Sequence, residues 1–418
     1  MKTFFKYFLT FVLGATTTFF LINQYAPLII AVPEKDLEFV PIVFDAEVKQ
    51  KELSSVSPKA KNIILLIGDG MGANHITAYK TARGGPNHLT AFDKFPISGF
   101  VKTHAIDSIV TDSASSATAY STGVKTINRY IGMGPENNPV ANITELLYER
   151  GYINAIIATS EITHATPASF AAHNISRYNT DEIATDIFQS KNHIILGGGK
   201  GFFQPIVDGG LREDDLNHIQ EMKEDHLYIE TLNELEDIPV ATKKRVFGLF
   251  AQEELGLAED EPSLSEMFSY AYNSADERVN LGKCNGFFIM AEGSQIDWRS
   301  HDNDFSGMIM ELDEFNQTID NALRYAKSRD DTLVVVTADH ETGGLLIEQD
   351  NISYETSEAM KISWNTAVGR GGHTGAMVPI FAYGPGAENF SGIIDNTDVF
   401  HAMKKAIGFE SLELAQCN

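Results

Sequence analysis

The chain has 418 residues, 43% of them hydrophobic and 10% aromatic, enough length and apolar content to bury a large core, which excludes an intrinsically disordered chain. Its 32 Lys and Arg stand against 57 Asp and Glu, a formal net charge of −25, and that charge excludes nucleic-acid binding as a main role because phosphate backbones are repelled. The two cysteines, Cys284 and Cys417, are too few for a disulfide scaffold or a thiolate zinc site, so any metal must be held by histidines and carboxylates.

At the N-terminus, Lys2 and Lys6 precede an uncharged apolar stretch from Tyr7 to Ile22 and a second from Tyr25 to Val32. This is the order of a positive n-region followed by an h-region, so residues 1–32 are expected to be an export signal. No clean small-x-small cleavage site follows, and an uncleaved membrane tether through residues 7–32 is the alternative. Either way the chain is expected to be exported, to the periplasm or the cell surface. Residues 33–61, polar around Ser54-Ser55-Val56-Ser57-Pro58, read as a linker, and residues 62–418 as one folded domain.

Within that domain, Asn62 to Ile67 is a branched apolar run that empties into Gly68-Asp69-Gly70-Met71-Gly72, the pattern of a buried strand entering a loop. Similar runs recur at Ala155 to Ala158, His193 to Leu196, Gly286 to Met290, Thr332 to Val336 and Pro379 to Tyr383. Helix-like stretches such as Ile143 to Arg150 and Ser306 to Lys327 lie between them. The alternation predicts an α/β fold, a three-layer sandwich with a large, mainly parallel central sheet flanked by helices. Residues 200–262, with the acidic clusters Glu213-Asp214-Asp215 and Glu259-Asp260-Glu261, read as an irregular solvated surface excursion.

Asp69, Glu292, Asp297, Asp339 and His340 all follow closely on apolar runs, and ligands of open α/β sheets bind beyond the carboxyl ends of the strands. Asp297 and His301 are four residues apart, a spacing that places both on one helical face to grip a divalent ion. His373, between glycines in Gly371-Gly372-His373-Thr374-Gly375, could supply a third ligand, and Asp339-His340 with Asp69 a second set. Two such sites about 4 Å apart suit in-line displacement at phosphorus. Ser113, where Val110-Thr111-Asp112 gives way to small helix-compatible residues, is expected at a helix N-terminus, where dipole and metal both favour an alkoxide.

The runs Ile67-Gly-Asp69-Gly-Met-Gly72, Val110-Thr-Asp-Ser113-Ala, His164-Ala-Thr166-Pro, Glu292-Gly-Ser-Gln-Ile-Asp297, His301, Thr337-Ala-Asp339-His340-Glu-Thr-Gly343 and Gly372-His373-Thr-Gly375 together resemble the alkaline phosphatases, in the family's order. The resemblance spans Asn62 to about Gly408. It implies a homodimeric enzyme that hydrolyses small phosphate monoesters through a phosphoserine, with two zinc ions, one magnesium ion and an alkaline optimum. By it, Asp297, His301 and His373 form one zinc site, and Asp69, Asp339 and His340 the other. Asp69, Thr166 and Glu292 hold the magnesium, Ser113 is the nucleophile, and Arg177 clamps the phosphate with its planar fork. His164 stands where some members have Asp, and Trp298 where some have Lys or His. The first softens the magnesium set so that zinc competes for the third site, and the second removes a positive charge from the substrate pocket. The alternatives on the same fold are a phosphodiesterase, a sulfatase, or a phosphate-binding relative without activity. Ser113 in the nucleophile slot argues against the sulfatase, and Thr166, Glu292 and Arg177 suit a doubly charged monoester.

Overall fold

The computed structural model describes residues 51–56, 58–256, 258–349, 360–366 and 370–417. The expected export segment, 1–32, lies outside these residues. No helix among the described residues is long and apolar enough to cross a membrane.

The apolar runs are the strands of the sheet. In chain order the strands are β1 (Asn62–Gly68), β2 (Ile97–Lys102), β3 (Tyr152–Glu161), β4 (Ile194–Gly198), β5 (Leu227–Ile229), β6 (Val246–Leu249), β7 (Gly286–Gly293), β8 (Thr332–Thr337), β9 (Glu341–Thr342), β10 (Leu345–Gln349), β11 (Met360–Trp364), β12 (His373–Thr374), β13 (Val378–Tyr383) and β14 (Gly392–Asp395). Among the described residues ten of them form one sheet in the order β14-β2-β13-β8-β1-β7-β3-β4-β6-β5. Every neighbouring pair is parallel except those of β13, which runs antiparallel to both β2 and β8. Strands β1, β7 and β8 are buried at every position, as parallel strands covered on both faces must be.

Flanking helices complete the three layers, as the alternation predicts. The longest, Phe305–Lys327, starts at Asp304, whose carboxylate accepts from the Gly307 N–H at 3.0 Å. It buries Met308, Leu312, Phe315, Ile319, Leu323 and Ala326, one apolar stripe at helical spacing.

Two sequence-based boundaries are corrected. Residues 200–262 are more than a surface excursion, because β5 and β6 within them extend the central sheet and β6 is fully buried beside β4. The acidic clusters Glu213–Asp215 and Glu259–Glu261 do stay at the surface. They mask strands of three and four residues, too short to show a period. The linker 33–61 is also shorter than expected at its C-terminal end. The Lys51 N–H donates to Asp398 Oδ1 at 2.9 Å, Ser54 N–H to Asn389 Oδ1 at 2.7 Å, and Ala60 N–H to Ala406 O at 2.9 Å, with Ala60 buried.

Cys284 and Cys417 form one disulfide across a sequence separation of 133 residues, with Cα atoms 4.9 Å apart. Only tertiary packing brings them together, so neither composition nor spacing announced the bond. It ties the C-terminal tail to the loop that enters β7, at the end of the strand away from Glu292. Cys417→Ser is expected to lower stability by about 2–4 kcal/mol through loop entropy. A denaturant midpoint that falls is the expected reading.

Candidate active site

Three adjacent strands carry the candidate chemistry to one level. Ile67 of β1 stands opposite Glu292 of β7 and Thr337 of β8. Just beyond, β1 runs into Asp69, β7 leads to the short helix Gln295–His301, and β8 runs into Asp339 and His340. Gly70 has φ +72°, and a Cβ there would lie 2.8 Å from the Cα of Asp297. Glycine therefore lets the Asp69 loop cross the Asp297 helix closely.

Asp297 and His301 do share a helical face, with His301 Nε2 3.3 Å from Asp297 Oδ2. His373 joins them, its Nε2 3.2 Å from His301 Nε2 and 3.7 Å from Asp297 Oδ1. A two-residue antiparallel ladder of β12 on β9 pairs His373 with Thr342, and Gly343 N–H donates to Gly372 O at 2.9 Å. Gly343, with φ +86°, packs where a Cβ would meet the Trp364 ring at 2.4 Å.

The second set adjoins the first. His340 Nε2 lies 3.1 Å from Asp339 Oδ2 and 3.4 Å from Asp69 Oδ1, and all three side chains are inaccessible to solvent. The His340 and His373 rings stack with centroids 3.6 Å apart. A third cluster brings donor atoms of Asp69, His164 and Glu292 within 4.8 Å of one another. The buried Thr166 sits in the short helix Ala165–Ala168 that follows His164.

The imidazoles are held with one nitrogen free. His301 Nδ1 bonds Gly371 O at 2.6 Å, and His373 Nδ1 bonds Thr111 O at 2.9 Å. A carbonyl only accepts, so both rings carry a proton on Nδ1, which leaves Nε2 as the nitrogen that can take a metal. Thr342 does the same for His340, whose Nδ1 lies 3.2 Å from the threonine hydroxyl while that hydroxyl donates to Asp297 Oδ1. All three Nε2 atoms then face the carboxylates as metal ligands require.

The buried polar atoms without partners fit cations. Both oxygens of Asp69, Asp339 Oδ2, Glu292 Oε1, Thr166 Oγ1 and His164 Nδ1 are buried and make no hydrogen bond. Buried polar atoms are ordinarily satisfied, and this collection is the hard-oxygen and imidazole set that zinc and magnesium take. Electrostatics agree. Burial, with the nearby charge of Asp339, pushes the Asp69 carboxyl well above its usual range. Burial outweighs the Ser294 hydrogen bond and raises Glu292 to about 8. Asp297 moves the other way: burial would raise it, but the His301 hydrogen bond and the charges of His340 and His373 hold it well below the carboxylate range. The carboxylates cannot all ionise together without added positive charge.

Ser113 is the first residue of the helix Ser113–Thr122, as the sequence predicts, and its Oγ lies 3.2 Å from His340 Nε2. Above it opens a pocket of about 680 Å³ lined by Ser113, Arg177, His164, Trp298, His301 and His373, among others. Arg177 Nη1 donates to Asp112 Oδ2 at 3.2 Å, and Nη2 donates to His164 Nε2 at 2.9 Å. Trp298 packs edge-on against the His164 ring, centroids 5.6 Å apart. Burial and the Arg177 charge keep His164 neutral, its pKa held down to about 3.

Sequence reasoning passed over Thr342 and Asp112. Asp112 caps the Ser113 helix, accepting from Ser115 N–H at 3.0 Å, and also anchors Arg177. An aspartate directly before a helical serine is a capping signal, so half of its role was readable. Asp112→Ala is expected to cost about 1 kcal/mol of stability from the lost cap and to raise KM by about tenfold as Arg177 loses its anchor. An unchanged KM would show that the ion pair does not position the guanidinium.

An α/β sheet that ends in three adjoining groups of side chains able to hold cations, with a serine hydroxyl and a guanidinium in the same pocket, fits a metal-binding hydrolase for anionic esters. The sequence profile described as alkaline phosphatase matches residues 60–363 and 347–409. Alkaline phosphatase 4 of Bacillus subtilis (strain 168) is 35% identical over 431 residues, covering 84% of this chain and 91% of its own length. The solved alkaline phosphatase of the Antarctic bacterium TAB5 is 36% identical with a TM-score of 0.74, covering 84% of this chain and 99% of that one. A variant of the TAB5 enzyme with a histidine changed to aspartate, 34% identical with a TM-score of 0.72 and covering 84% of this chain and 98% of that one, is described with magnesium bound in its M3 site. The chain belongs to the alkaline phosphatase family, and it is an enzyme, a hydrolase of phosphatase type.

Proposed function

We propose that the protein hydrolyses small phosphate monoesters through a phosphoserine at Ser113 and releases inorganic phosphate. The observation that carries this reading is the Ser113 hydroxyl, at a helix N-terminus and 3.2 Å from His340 Nε2, in the same pocket as Arg177. Asp297, His301 and His373 would hold one zinc ion, and Asp69, Asp339 and His340 the other. Asp69, Thr166 and Glu292 would hold magnesium. When bound, the cations neutralise the buried carboxylates, polarise phosphoryl oxygens as Lewis acids and favour deprotonated oxygen nucleophiles.

The chain's own groups do the rest. Arg177 pairs its fork with two phosphate oxygens, and the backbone N–H groups at the start of the Ser113 helix face the same anion. Ser113 Oγ gives up its proton and bonds to phosphorus, while the bond from phosphorus to the alcohol oxygen breaks and the alcohol leaves protonated. Water then attacks phosphorus, the Ser113 Oγ–P bond breaks, and the serine regains a proton as phosphate departs. His164 serves two masters, because its Nε2 accepts from Arg177 and the neutral ring therefore carries its proton on Nδ1. To act as a third-site ligand through Nδ1 it must shed that bond, which favours magnesium on Asp69, Thr166 and Glu292 alone, or zinc with His164 drawn in. Trp298 brings no charge to bound phosphate, so product leaves readily.

The alkaline optimum follows from the need for a deprotonated nucleophile. Export is supported by residues 1–32 and by the Cys284–Cys417 bond, which belongs to an oxidising compartment. A homodimer rests on the family resemblance.

The test is hydrolysis of p-nitrophenyl phosphate, bis-p-nitrophenyl phosphate and p-nitrophenyl sulfate from neutral to alkaline pH, with metal analysis. The monoester should dominate and rise with pH. Preference for the diester would keep the fold and metals but overturn the monoester chemistry.

A further inference from the structure

A second pocket, of about 590 Å³, lies at the opposite end of the sheet and has no part in this chemistry. His193 directly precedes β4 and Arg245 directly precedes β6, so the pocket sits at the strands' amino ends, whereas Ser113 and its neighbours lie beyond the carboxyl ends. Among the described residues its charged lining is wholly basic: Lys191, Lys243, Arg245 and Arg278, with His193 and His226, and no carboxylate. On a chain of net charge −25 such a concentration of cations is against the trend.

Arg245 and Arg278 are the informative members. Among the described residues the buried Lys125 and Arg212 and the half-buried Arg177 are paired: Lys125 with Asp395 at 3.0 Å, Arg177 with Asp112 at 3.2 Å and Arg212 with Asp214 at 2.7 Å. Among the described residues Arg245 and Arg278 have no carboxylate partner. Arg245 lies over the Phe247 ring at 4.7 Å and spends two donors on Asn192 O and Phe188 O, both at 2.8 Å, but its Nη2 is buried with no partner. Arg278 is only 6% exposed and donates to Ser274 Oγ and Lys244 O. Arg245 Nη2 is closed to solvent, so an anion in the pocket acts on it through its field, and that field offsets the cost of a largely buried guanidinium without a counter-charge. The field of the two arginines is felt next door: burial first, then Arg278 and Arg245, hold His193 neutral down to about 3.

The other walls are apolar, with Tyr148, Ile153 and Leu281, and the Tyr148 and His193 rings lie 5.8 Å apart. The volume falls within the range of small-molecule sites, and it is more than a single oxyanion fills. We infer that this pocket binds a small organic dianion, its negatively charged oxygens on Arg245, Arg278 and the rim lysines Lys191 and Lys243, and its flat or apolar body against Tyr148 and Leu281. Phosphate-bearing and carboxylate-bearing molecules share that chemistry, and the test separates them.

The probe is naphthalene disulfonate, a flat dianion that carries no phosphate ester, titrated by calorimetry into the metal-loaded full chain. One saturable site per chain is expected, weakened by added salt and without effect on KM for p-nitrophenyl phosphate. Lys191 and Lys243 are exposed, so the double variant Lys191→Glu with Lys243→Glu keeps the fold, and it should weaken the probe at least about tenfold by reversing two charges at the rim, with turnover unchanged. Arg245→Gln should remove binding. Displacement of the probe by a phenylphosphonate assigns the natural anion to phosphates, and displacement by terephthalate to dicarboxylates; either supports the site. Absence of saturable binding, competition with the substrate, or indifference to the double variant overturns it. Because the readout is binding, it stands or falls separately from the monoesterase reading.

Discussion

Ser113→Ala is expected to lower kcat for p-nitrophenyl phosphate by about ten-thousandfold or more, the scale seen when an enzyme loses its covalent nucleophile. No neighbouring hydroxyl takes over, because the other serines of the Ser113 helix are committed elsewhere. Ser115 Oγ bonds Asn128 Oδ1 at 2.8 Å, and Ser116 Oγ donates to Asp339 O at 2.8 Å. The metal ligands are untouched by the substitution, so bound metal should remain at the wild-type amount. Loss of turnover together with loss of metal would mean that Ser113 holds the cluster and does not attack.

The second large effect is expected on removing the cations. Without them the protein holds Glu292 protonated up to about 8 and Asp69 raised in the same direction, while His340 and His301 are raised by Asp339 and Asp297 against burial. The unfolded chain releases the carboxyl protons below about pH 6 and the histidine protons at about pH 6.5. Between pH 6.5 and 8 the folded state therefore binds more protons than the unfolded state, and stability falls as pH rises. Glu292 alone contributes about 2 kcal/mol over that window. Below pH 6.5 an opposing slope enters, because His75, His164, His193 and His373 are held neutral when folded, at about 4, 3, 3 and 4. Denaturant unfolding of chelated protein should show this loss from pH 6.5 to 8, and zinc with magnesium should abolish it along with restoring activity. A chelated protein as stable at pH 8 as at 6.5 would mean that the carboxylates are not a charge-frustrated cation site.

What the sequence made legible was set by local physics. Asp69, Asp339 and His340 could be placed because each follows an apolar run too regular to be anything but a buried strand, and such strands present their exits on one edge. The Asp297 and His301 pair was readable because four residues is a helical period. His373 was suggested only by its glycine setting, and the ladder from β12 to β9 that delivers it is a tertiary pairing no local pattern encodes. Thr342 was hidden for the same reason: a threonine hydroxyl that orients His340 looks like any other threonine. Strands β5 and β6 were lost among acidic surface residues, and residues 51–61 were taken as linker because their anchors, Asn389, Asp398 and Ala406, lie more than three hundred residues away.

The central claim is a covalent bond between Ser113 and the phosphoryl group. The most direct measurement is to incubate the metal-loaded enzyme with a labelled phosphate monoester at mildly acidic pH, where dephosphorylation is slow, quench it in acid and map the label by peptide mass spectrometry. One phosphate per chain on the peptide that contains Ser113, absent from Ser113→Ala, is the predicted result. Steady monoester hydrolysis with no label on that peptide would contradict the account, because it would require water to attack the substrate directly.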